Sequence, residues 1–211
     1  PQLIFGDMRT SSNYNKKETG IKIVGGRNGF GAKLANIFST RFIVETVDGR
    51  RGKHFRQEYE KNMSKRHEPE VKNTTKKAFT RITFYPDLKR FGYDDGMDDS
   101  LYNLVLKRAY DLAACTEPNI NVYLNDEKID CKNFEKYVSY YLGDKKQYPR
   151  IYKQFNNRWE VVACISPNQK FEQVSFANGV STIRGGKHVE YVSKQIVSKL
   201  KKYIEIKKKI K

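Results

Sequence analysis

Alternation of apolar and polar residues predicts a group of β-strands in the first half of the chain. Residues 41–47 are β-branched and apolar, and residues 53–61 alternate behind a glycine-containing turn, so the two segments predict a hairpin. Residues 79–86 alternate in the same way and predict another strand, which ends at Pro86. The polar residues 60–78 predict a loop or a weak helix.

Apolar residues at helical spacing predict helices elsewhere. Residues 98–116 form one such segment, with Asp99 or Ser100 as its N-cap, and residues 131–143 form another, whose final glycine suits a C-terminal cap. A long amphipathic helix is predicted from Lys187 onward. Its apolar stripe, which should pack on a sheet, consists of Val192, Ile196, Leu200 and Ile204.

Shorter strands are predicted in the second half of the chain. Residues 119–130 read as a hairpin that turns at Asn125 and Asp126, and residues 158–166 and 170–180 read as two further strands. Hairpins dominate before residue 130, and strand pairs and helices follow it. We therefore place a domain boundary near this position.

The charge of the chain points to a polyanionic partner. Lys and Arg total 41 against 24 Asp and Glu, which gives a net charge of +17. This favours nucleic acid first and an anionic membrane second, whereas the alternative is a solvated basic surface. No apolar run approaches the roughly 20 residues of a transmembrane helix, and no secretory signal is present. Because the chain starts at Pro1 without a methionine, we expect it to begin within a longer protein.

Cysteine and histidine patterns indicate neither a metal site nor a disulfide framework. The three cysteines, Cys115, Cys131 and Cys164, form no C-x-x-C pair and are expected to be reduced, buried thiols of an intracellular protein. The three histidines have no metal-ligand spacing.

Four glycines lie within residues 25–31, directly before Lys33 and a short apolar helical pattern. Glycines permit positive φ and let a ligand approach the main chain, and the start of a helix binds anions. Lys33 in the first turn opposes the helix dipole, so an anion should lie nearby. The segment fits neither a Walker A motif, because Ala32 replaces its lysine, nor a dinucleotide fingerprint, because Leu34 replaces its third glycine. It predicts either a phosphate cradle of neither common type or a loop that merely caps a helix.

Several segments together resemble the ATPase region of eukaryotic-type type IIA DNA topoisomerases. They are PQLIFGDMRTSSNYN, GGRNGFGAKLANIFSTRF, FTRITFYPDLKRF, KRAYDLA, NRWEV, SFANGVSTIRGGKHVEYV and QIVSKL. The resemblance runs along essentially the whole chain and implies an α+β fold. Residues 1–130 would be the C-terminal half of a Bergerat-type (GHKL) ATPase domain with its ATP lid. Residues 131–211 would be an incomplete α/β transducer domain.

The resemblance also implies a nucleotide site, with ATP and Mg2+ as cofactors. The residues that it assigns to ATP are Ser11, Ser12, Asn13, Gly26, Arg27, Asn28, Gly29, Phe30, Gly31, Ala32 and Lys33. Phe30 stands where relatives often carry tyrosine, so a hydroxyl contact is lost. A side chain at Gly29 or Gly31 is expected to be harmful, because both glycines are expected to need positive φ.

No catalytic or metal-binding residue is assigned within the chain. The family's general-base glutamate and magnesium-holding asparagine are expected before Pro1, and its switch lysine after Lys211. We therefore expect the 211 residues alone to hydrolyse no ATP.

Lys207, Lys208 and Lys209 are the candidate DNA contacts. On spacing alone they could equally be a solvated helix end, but the resemblance places a similar lysine triplet at the passage for duplex DNA. The implied partners are double-stranded DNA and a second copy bound through the ATPase gate, with no membrane. The implied location is the nucleus, or a viral or host equivalent.

The expected function is that of an ATP-dependent topoisomerase, which passes one duplex through a transient double-strand break in another. In this view the present region binds ATP phosphates and couples nucleotide state to the DNA gate. The alternatives are a non-enzymatic nucleic-acid-binding module and another GHKL ATPase, such as a mismatch-repair or chaperone relative.

Overall fold

The computed structural model describes residues 1–13, 25–26 and 28–208. The chain divides into two compact units, Pro1–Leu101 and Tyr102–Lys211. The boundary expected near residue 130 lies later in the chain than this division, and it stays a prediction.

A five-stranded antiparallel sheet forms the body of the first unit. Its strands are β1 (Ser39–Asp48), β2 (Lys53–Glu60), β3 (Lys65–Arg66), β4 (Glu70–Asn73) and β5 (Phe79–Pro86). β1 lies between β2 and β5, while β3 and β4 both pair with β2. The predicted hairpin and the strand ending at Pro86 are confirmed. The loop expected over residues 60–78 is confirmed for its turns and irregular segments, but it is wrong at β3 and β4, two edge strands that lie there. All residues of β3 and β4 are exposed, so the sequence has no apolar alternation there that would predict the two strands.

In the described part of the first unit, three helical segments accompany this sheet, namely α1 (Gln2–Gly6), α2 (Gly31–Ile37) and the 3-10 turn Leu88–Phe91. The core beneath them is formed by Phe42, Val44 and Tyr59, all 1% exposed. Phe5 and Ala35 pack against it from α1 and α2. Both helices, which flank the glycine-rich segment, are thus anchored on the sheet.

Three helices and three two-stranded hairpins make up the second unit, with α3 starting just before its boundary. The elements are α3 (Asp99–Cys115), β6 (Tyr123–Leu124), β7 (Glu127–Lys128), α4 (Phe134–Leu142), β8 (Arg150–Asn156), β9 (Trp159–Cys164), β10 (Phe176–Ala177), β11 (Val180–Ser181) and α5 (Lys187–Lys208). None of the described helices is both long enough and apolar enough to cross a membrane.

Helix ends in the second unit follow capping chemistry closely. Asn133 caps α4 by accepting the Lys136 N–H at 2.8 Å, and Gly143 ends the helix at φ 69°, as predicted. At the start of α3 the Asp98 carboxylate accepts the Leu101 N–H at 2.7 Å. This cap lies one residue before the predicted one, since Asp98 and Asp99 are equally suitable in sequence.

The core of the second unit joins α3 to α4. Ala113, Ile129, Cys131 and Tyr137 are buried together. Asp111, which is 2% exposed, accepts a hydrogen bond from the Tyr137 hydroxyl at 2.6 Å and lies 2.9 Å from the Lys107 ammonium. Burial first, and then the hydrogen bonds with Asp111 and Tyr141, raise the pKa of Tyr137 far above its ordinary value. The hydroxyl therefore stays protonated and serves as a donor.

Several expectations for this unit need correction. The hairpin at Asn125 and Asp126 and the strand over 159–164 are confirmed, but β8 was not foreseen. The strand expected over 170–180 is wrong for most of its length, because a short hairpin turns at its end through Asn178 and Gly179, both at positive φ.

Two expectations about burial are also wrong. Cys131 is buried as expected, but Cys115 and Cys164 are exposed. The apolar stripe of α5 does not pack along its length, since Leu200 and Ile204 are 55% and 46% exposed. The longest strands of the second unit, β8 and β9, meet α5 near the start of the helix, where the ring centroids of Trp159 and Tyr191 lie 6.4 Å apart.

Candidate functional site

An open cleft of about 330 Å³ lies between the end of α1 and the start of α2. Its lining residues are small or polar with one exception, and they are Ile4, Thr10, Ser11, Ser12, Gly29, Gly31, Ala32 and Lys33. The sequence produces this cleft because the small residues Gly29, Gly31 and Ala32 line it together with residues 10–12, while the bulky Phe30 is not among the lining residues.

Gly29 brings the main chain of the glycine-rich segment against Ser11. It has φ 68°, and a Cβ placed on it would lie 3.2 Å from both the backbone nitrogen and Cβ of Ser11. An L-residue would be strained by this conformation and crowded by this neighbour. Gly31 is different, because it begins α2, has no positive φ and would meet nothing within 4 Å. The expectation that both glycines need positive φ is therefore wrong for Gly31.

Lys33 is buried, at 2% exposure, and its ammonium donates to the Thr10 hydroxyl at 2.6 Å. The Thr10 hydroxyl lies 3.1 Å from the Leu3 carbonyl and 3.0 Å from the Asp7 carbonyl. The Thr10 hydroxyl has one proton, so it donates to one of these carbonyls at a time while it accepts a hydrogen bond from Lys33. No anionic side chain pairs with this ammonium among the described residues, and Lys33 lines the cleft.

The first turn of α2 presents backbone donors to the same cleft. The Leu34 N–H donates to the Phe30 carbonyl at 2.8 Å, which is the first bond of the helix. The N–H groups of Gly31, Ala32 and Lys33 precede that bond and have no partner within the helix. No side chain of the described residues caps this end. The cleft thus combines a cation with amides that have no partner within the helix, which is an arrangement that suits an anion.

The structure brings most of the predicted nucleotide residues together. Six of them line the cleft, namely Ser11, Ser12, Gly29, Gly31, Ala32 and Lys33. Asn13 joins the two segments, because its side-chain amide donates to the Gly26 carbonyl at 2.7 Å. Asn28 and Phe30 adjoin the lining residues without lining the cleft, and Arg27 lies outside the described residues.

Thr10 and Ile4 also line the cleft and were not assigned from the sequence. Thr10 directly precedes the Ser-Ser-Asn triplet, so its hydroxyl was a visible signal. Its bond to Lys33, which is 23 residues away, is a tertiary contact that no local pattern encodes.

The predicted DNA-binding lysines lie at the end of α5. Lys207 is exposed and Lys208 is the last residue of the helix, while Lys209 lies outside the described residues. Glu205, two residues before Lys207, approaches the Lys201 ammonium at 3.9 Å.

The segment SFANGVSTIRGGKH forms a compact turn before α5. The hydroxyls of Ser175 and Thr182 lie 2.5 Å apart, and the Thr182 hydroxyl lies 3.1 Å from His188 Nε2. Gly185, at φ 70°, donates its N–H to the Thr182 carbonyl at 2.8 Å. These contacts fix the direction in which α5 leaves the hairpin of β10 and β11.

Metal ligands are not grouped in the part of the chain that the structure describes. No three Asp, Glu, His or Cys side chains lie close enough together there to hold an ion.

Comparisons with known proteins agree with this geometry. The family model described as DNA gyrase B matches residues 133–211. A probable DNA topoisomerase 2 of Dictyostelium discoideum is 43% identical over 211 residues, which are 99% of this chain and 14% of that protein. DNA topoisomerase 2 of Arabidopsis thaliana is 44% identical over 205 residues, which are 94% of this chain and 14% of that protein.

Solved structures show the same likeness in three dimensions. The crystallised ATPase region of Saccharomyces cerevisiae topoisomerase II matches with a TM-score of 0.89 and 42% identity, over all of this chain and 54% of that one. The ATPase and transducer domains of DNA topoisomerase II from Balamuthia mandrillaris match with a TM-score of 0.88 and 40% identity, over 97% of this chain and 51% of that one. The present chain thus spans about half of each crystallised region and a small part of the full-length relatives.

The α+β fold, the cleft before α2 and the likeness along the whole chain lead to one assignment. This chain belongs to the eukaryotic-type family of type IIA DNA topoisomerases and corresponds to the C-terminal part of the family's GHKL ATPase domain followed by transducer structure.

Proposed function

We propose that this chain is part of an ATP-dependent DNA topoisomerase, and that its cleft binds the phosphates of ATP. The parent protein passes one DNA duplex through a transient double-strand break in another. The region described here couples the nucleotide state of the cleft to the gate for DNA. Its partners are double-stranded DNA and a second copy of the protein, and its place of action is the nucleus or a viral equivalent.

The observation that carries the proposal is the buried ammonium of Lys33 beside the start of α2. Lys33, the start of α2, Ser11 and Ser12 all line a cleft that has no acidic side chain among its described lining residues. A triphosphate supplies the negative charge that this arrangement lacks. Asn13, Gly26, Arg27, Asn28 and Phe30 are proposed to complete the contacts as the lid closes.

Magnesium enters this proposal with the nucleotide. The described residues form no cluster of three metal-binding side chains, so the phosphates are the ligands that this chain would bring together for the ion. Bound Mg2+ would neutralise phosphate charge. The part played by this chain's residues is to bind and orient the phosphates.

Replacing Lys33 in the intact protein tests the cleft. Lys33→Met keeps the buried aliphatic stem and removes the charge, so it should remove a charge-assisted contact of roughly 1.5–3 kcal/mol. Nucleotide affinity should fall about 10- to 150-fold. Isothermal titration with a non-hydrolysable ATP analogue measures this affinity directly.

Lys89→Met is the matched control, because Lys89 is an exposed lysine of the same unit outside the cleft. It should bind the analogue as the wild type does, and thermal unfolding without nucleotide should show that both variants are folded. Equal affinities for wild type and Lys33→Met would overturn the proposal.

A further inference from the structure

Six basic residues gather at one end of the five-stranded sheet, in two loops and the strand ends beside them, which the proposed function does not use. One loop joins β1 to β2 and the other joins β4 to β5, and both lie at the same end because all these pairings are antiparallel. We call this group the basic end of the sheet, and it consists of Arg50, Arg51, Lys53, Lys72, Lys76 and Lys77. All six are exposed.

Backbone contacts hold the two loops together. The Thr74 N–H donates to the Gly52 carbonyl at 2.9 Å, and the Cβ position of Gly49 lies 3.4 Å from Ala78 Cβ. Lys53 and Asn73 are register partners, and their side chains bond at 2.7 Å. The cations therefore share one surface that the fold itself assembles.

Carboxylates compensate only part of this charge. Asp48 is within 3.1 Å of Arg51, and Glu70 is within 2.8 Å of Lys72. The Asp48 carboxylate also accepts hydrogen bonds within the turn, from the Arg51 N–H at 3.2 Å and the Arg50 N–H at 3.0 Å. These bonds lower the pKa of Asp48. The four remaining cations have no acidic partner in the described structure, and they are Arg50, Lys53, Lys76 and Lys77.

The chemistry of the two loops fits a phosphate backbone. Residues 48–53 and 73–78 contain no large apolar side chain that could insert between bases or into a lipid layer. Thr74 and Thr75 add hydroxyl donors beside the cations. Contacts of this kind position a duplex without reading its sequence.

The size of the surface also fits a duplex. It spans the ends of four neighbouring strands, β4, β2, β1 and β5. The three gaps between these strands are about 4.8 Å each, so the surface is roughly 14 Å wide. Duplex DNA presents one phosphate charge per 1.7 Å of its axis, or about eight charges over that width. Clustered like charges repel one another, and a polyanion relieves that repulsion.

We propose that the basic end of the sheet is a second contact surface for the phosphate backbone of double-stranded DNA, independent of the lysines at the end of α5. This inference rests on the proposed function in taking DNA as a partner. It goes further by assigning a contact to the ATPase unit itself.

The test compares two triple variants of the full-length protein that remove equal charge from opposite ends of the same sheet. Arg50→Gln, Lys76→Gln and Lys77→Gln alter the basic end. Lys61→Gln, Lys89→Gln and Arg90→Gln follow β2 and β5 at the other end and serve as the control. Affinity for a duplex of arbitrary sequence is measured at several salt concentrations.

A plot of log affinity against log salt should be less steep for the basic-end variant, by up to about 2.7 in slope, because each lost phosphate contact removes about 0.9. The slope of the control variant should stay unchanged. Asp48→Asn keeps the turn's acceptor and removes the acid, so it should raise affinity at low salt.

Equal slopes for wild type and basic-end variant would overturn this inference alone. Failure of the wild type to bind DNA would instead overturn the DNA partner of the proposed function. Loss of binding to phosphatidylserine vesicles in the basic-end variant, with an unchanged DNA slope, would reassign the surface to a membrane.

Discussion

At the scale of single residues, the two glycines Gly29 and Gly31 have different roles in the same cleft. Gly29 is held at positive φ against Ser11, whereas Gly31 starts a helix in open space. Glycine is required at position 29 because the backbone there has a positive φ. Glycine at position 31 leaves room for a ligand, but the backbone there does not need glycine's conformational freedom.

Alanine at each position separates these roles. Gly29→Ala should destabilise the free protein by about 1–2 kcal/mol, because an L-residue is strained in the left-handed region. Gly31→Ala should leave stability unchanged or raise it by up to about 1 kcal/mol, because alanine favours the helix. Chemical denaturation of both variants checks this, and an equal loss at both positions would contradict it.

A second residue-scale effect concerns Glu60, whose carboxylate lies 2.8 Å from Lys65 and 2.7 Å from His67. Hydrogen bonds from Lys65 first and His67 second lower its pKa from 4.5 to about 2. Because the folded pKa is lowered, the stabilisation from this ion pair is complete above pH 4.5 and is lost as the pH falls towards 2.

Carboxyl NMR titration measures this pKa directly. The Glu60 resonance should titrate near pH 2 in the wild type. Lys65→Gln should move the midpoint towards 4.5 further than His67→Gln does, because the lysine is the stronger cause. A wild-type midpoint near 4.5 would show that the contact does not persist in solution.

At the scale of elements, α3 and α4 are joined by the buried contact between Asp111 and Tyr137. Tyr137→Phe removes one donor from a carboxylate that is 2% exposed, so it should cost about 1–3 kcal/mol of unfolding free energy. Tyr140→Phe is the control, since its hydroxyl donates to the Asp130 carbonyl at an exposed position and water can replace it. Urea denaturation compares the two, and equal losses would contradict a special role for the buried pair.

Elements with a regular apolar period or a clear turn signal were predictable, and some exposed strands without either were not. β1 is buried at Phe42, Val44 and Val47, so its alternation is visible in the sequence. The exposed strands β3, β4 and β8 are specified by backbone pairing, which leaves no apolar pattern to read. In the cleft the glycine-rich segment was recognisable, but the bond from Lys33 to Thr10 depends on tertiary packing of α1 against α2.

At the scale of the whole molecule, the positions of the basic residues, and not the net charge alone, should govern affinity for DNA. Changing Lys207, Lys208 and Lys209 together to alanine should flatten the salt dependence of duplex binding by up to about 2.7, whatever the DNA sequence. Nucleotide binding without DNA should change little. Fluorescence anisotropy of a labelled duplex across a salt series measures the effect.

Lys128, Lys132 and Lys153, changed together to alanine, provide the control, since they are exposed lysines of the second unit outside α5. Their loss should leave the salt dependence as in the wild type. An unchanged salt dependence for the α5 variant would mean that its lysines are only a solvated helix end.

The exposed apolar side chains of α5 have a consequence for the colloidal behaviour of the chain. They are Tyr191, Ile196, Val197, Leu200, Tyr203, Ile204 and Ile206. The net charge of +17 keeps copies apart over a distance of about 10 Å at 0.1 M ionic strength, but over only about 3 Å at 1 M. Attraction between the helices is not screened in this way. Molecules of this chain should therefore repel one another in buffer of low ionic strength and self-associate through the apolar side chains of α5 as ionic strength rises.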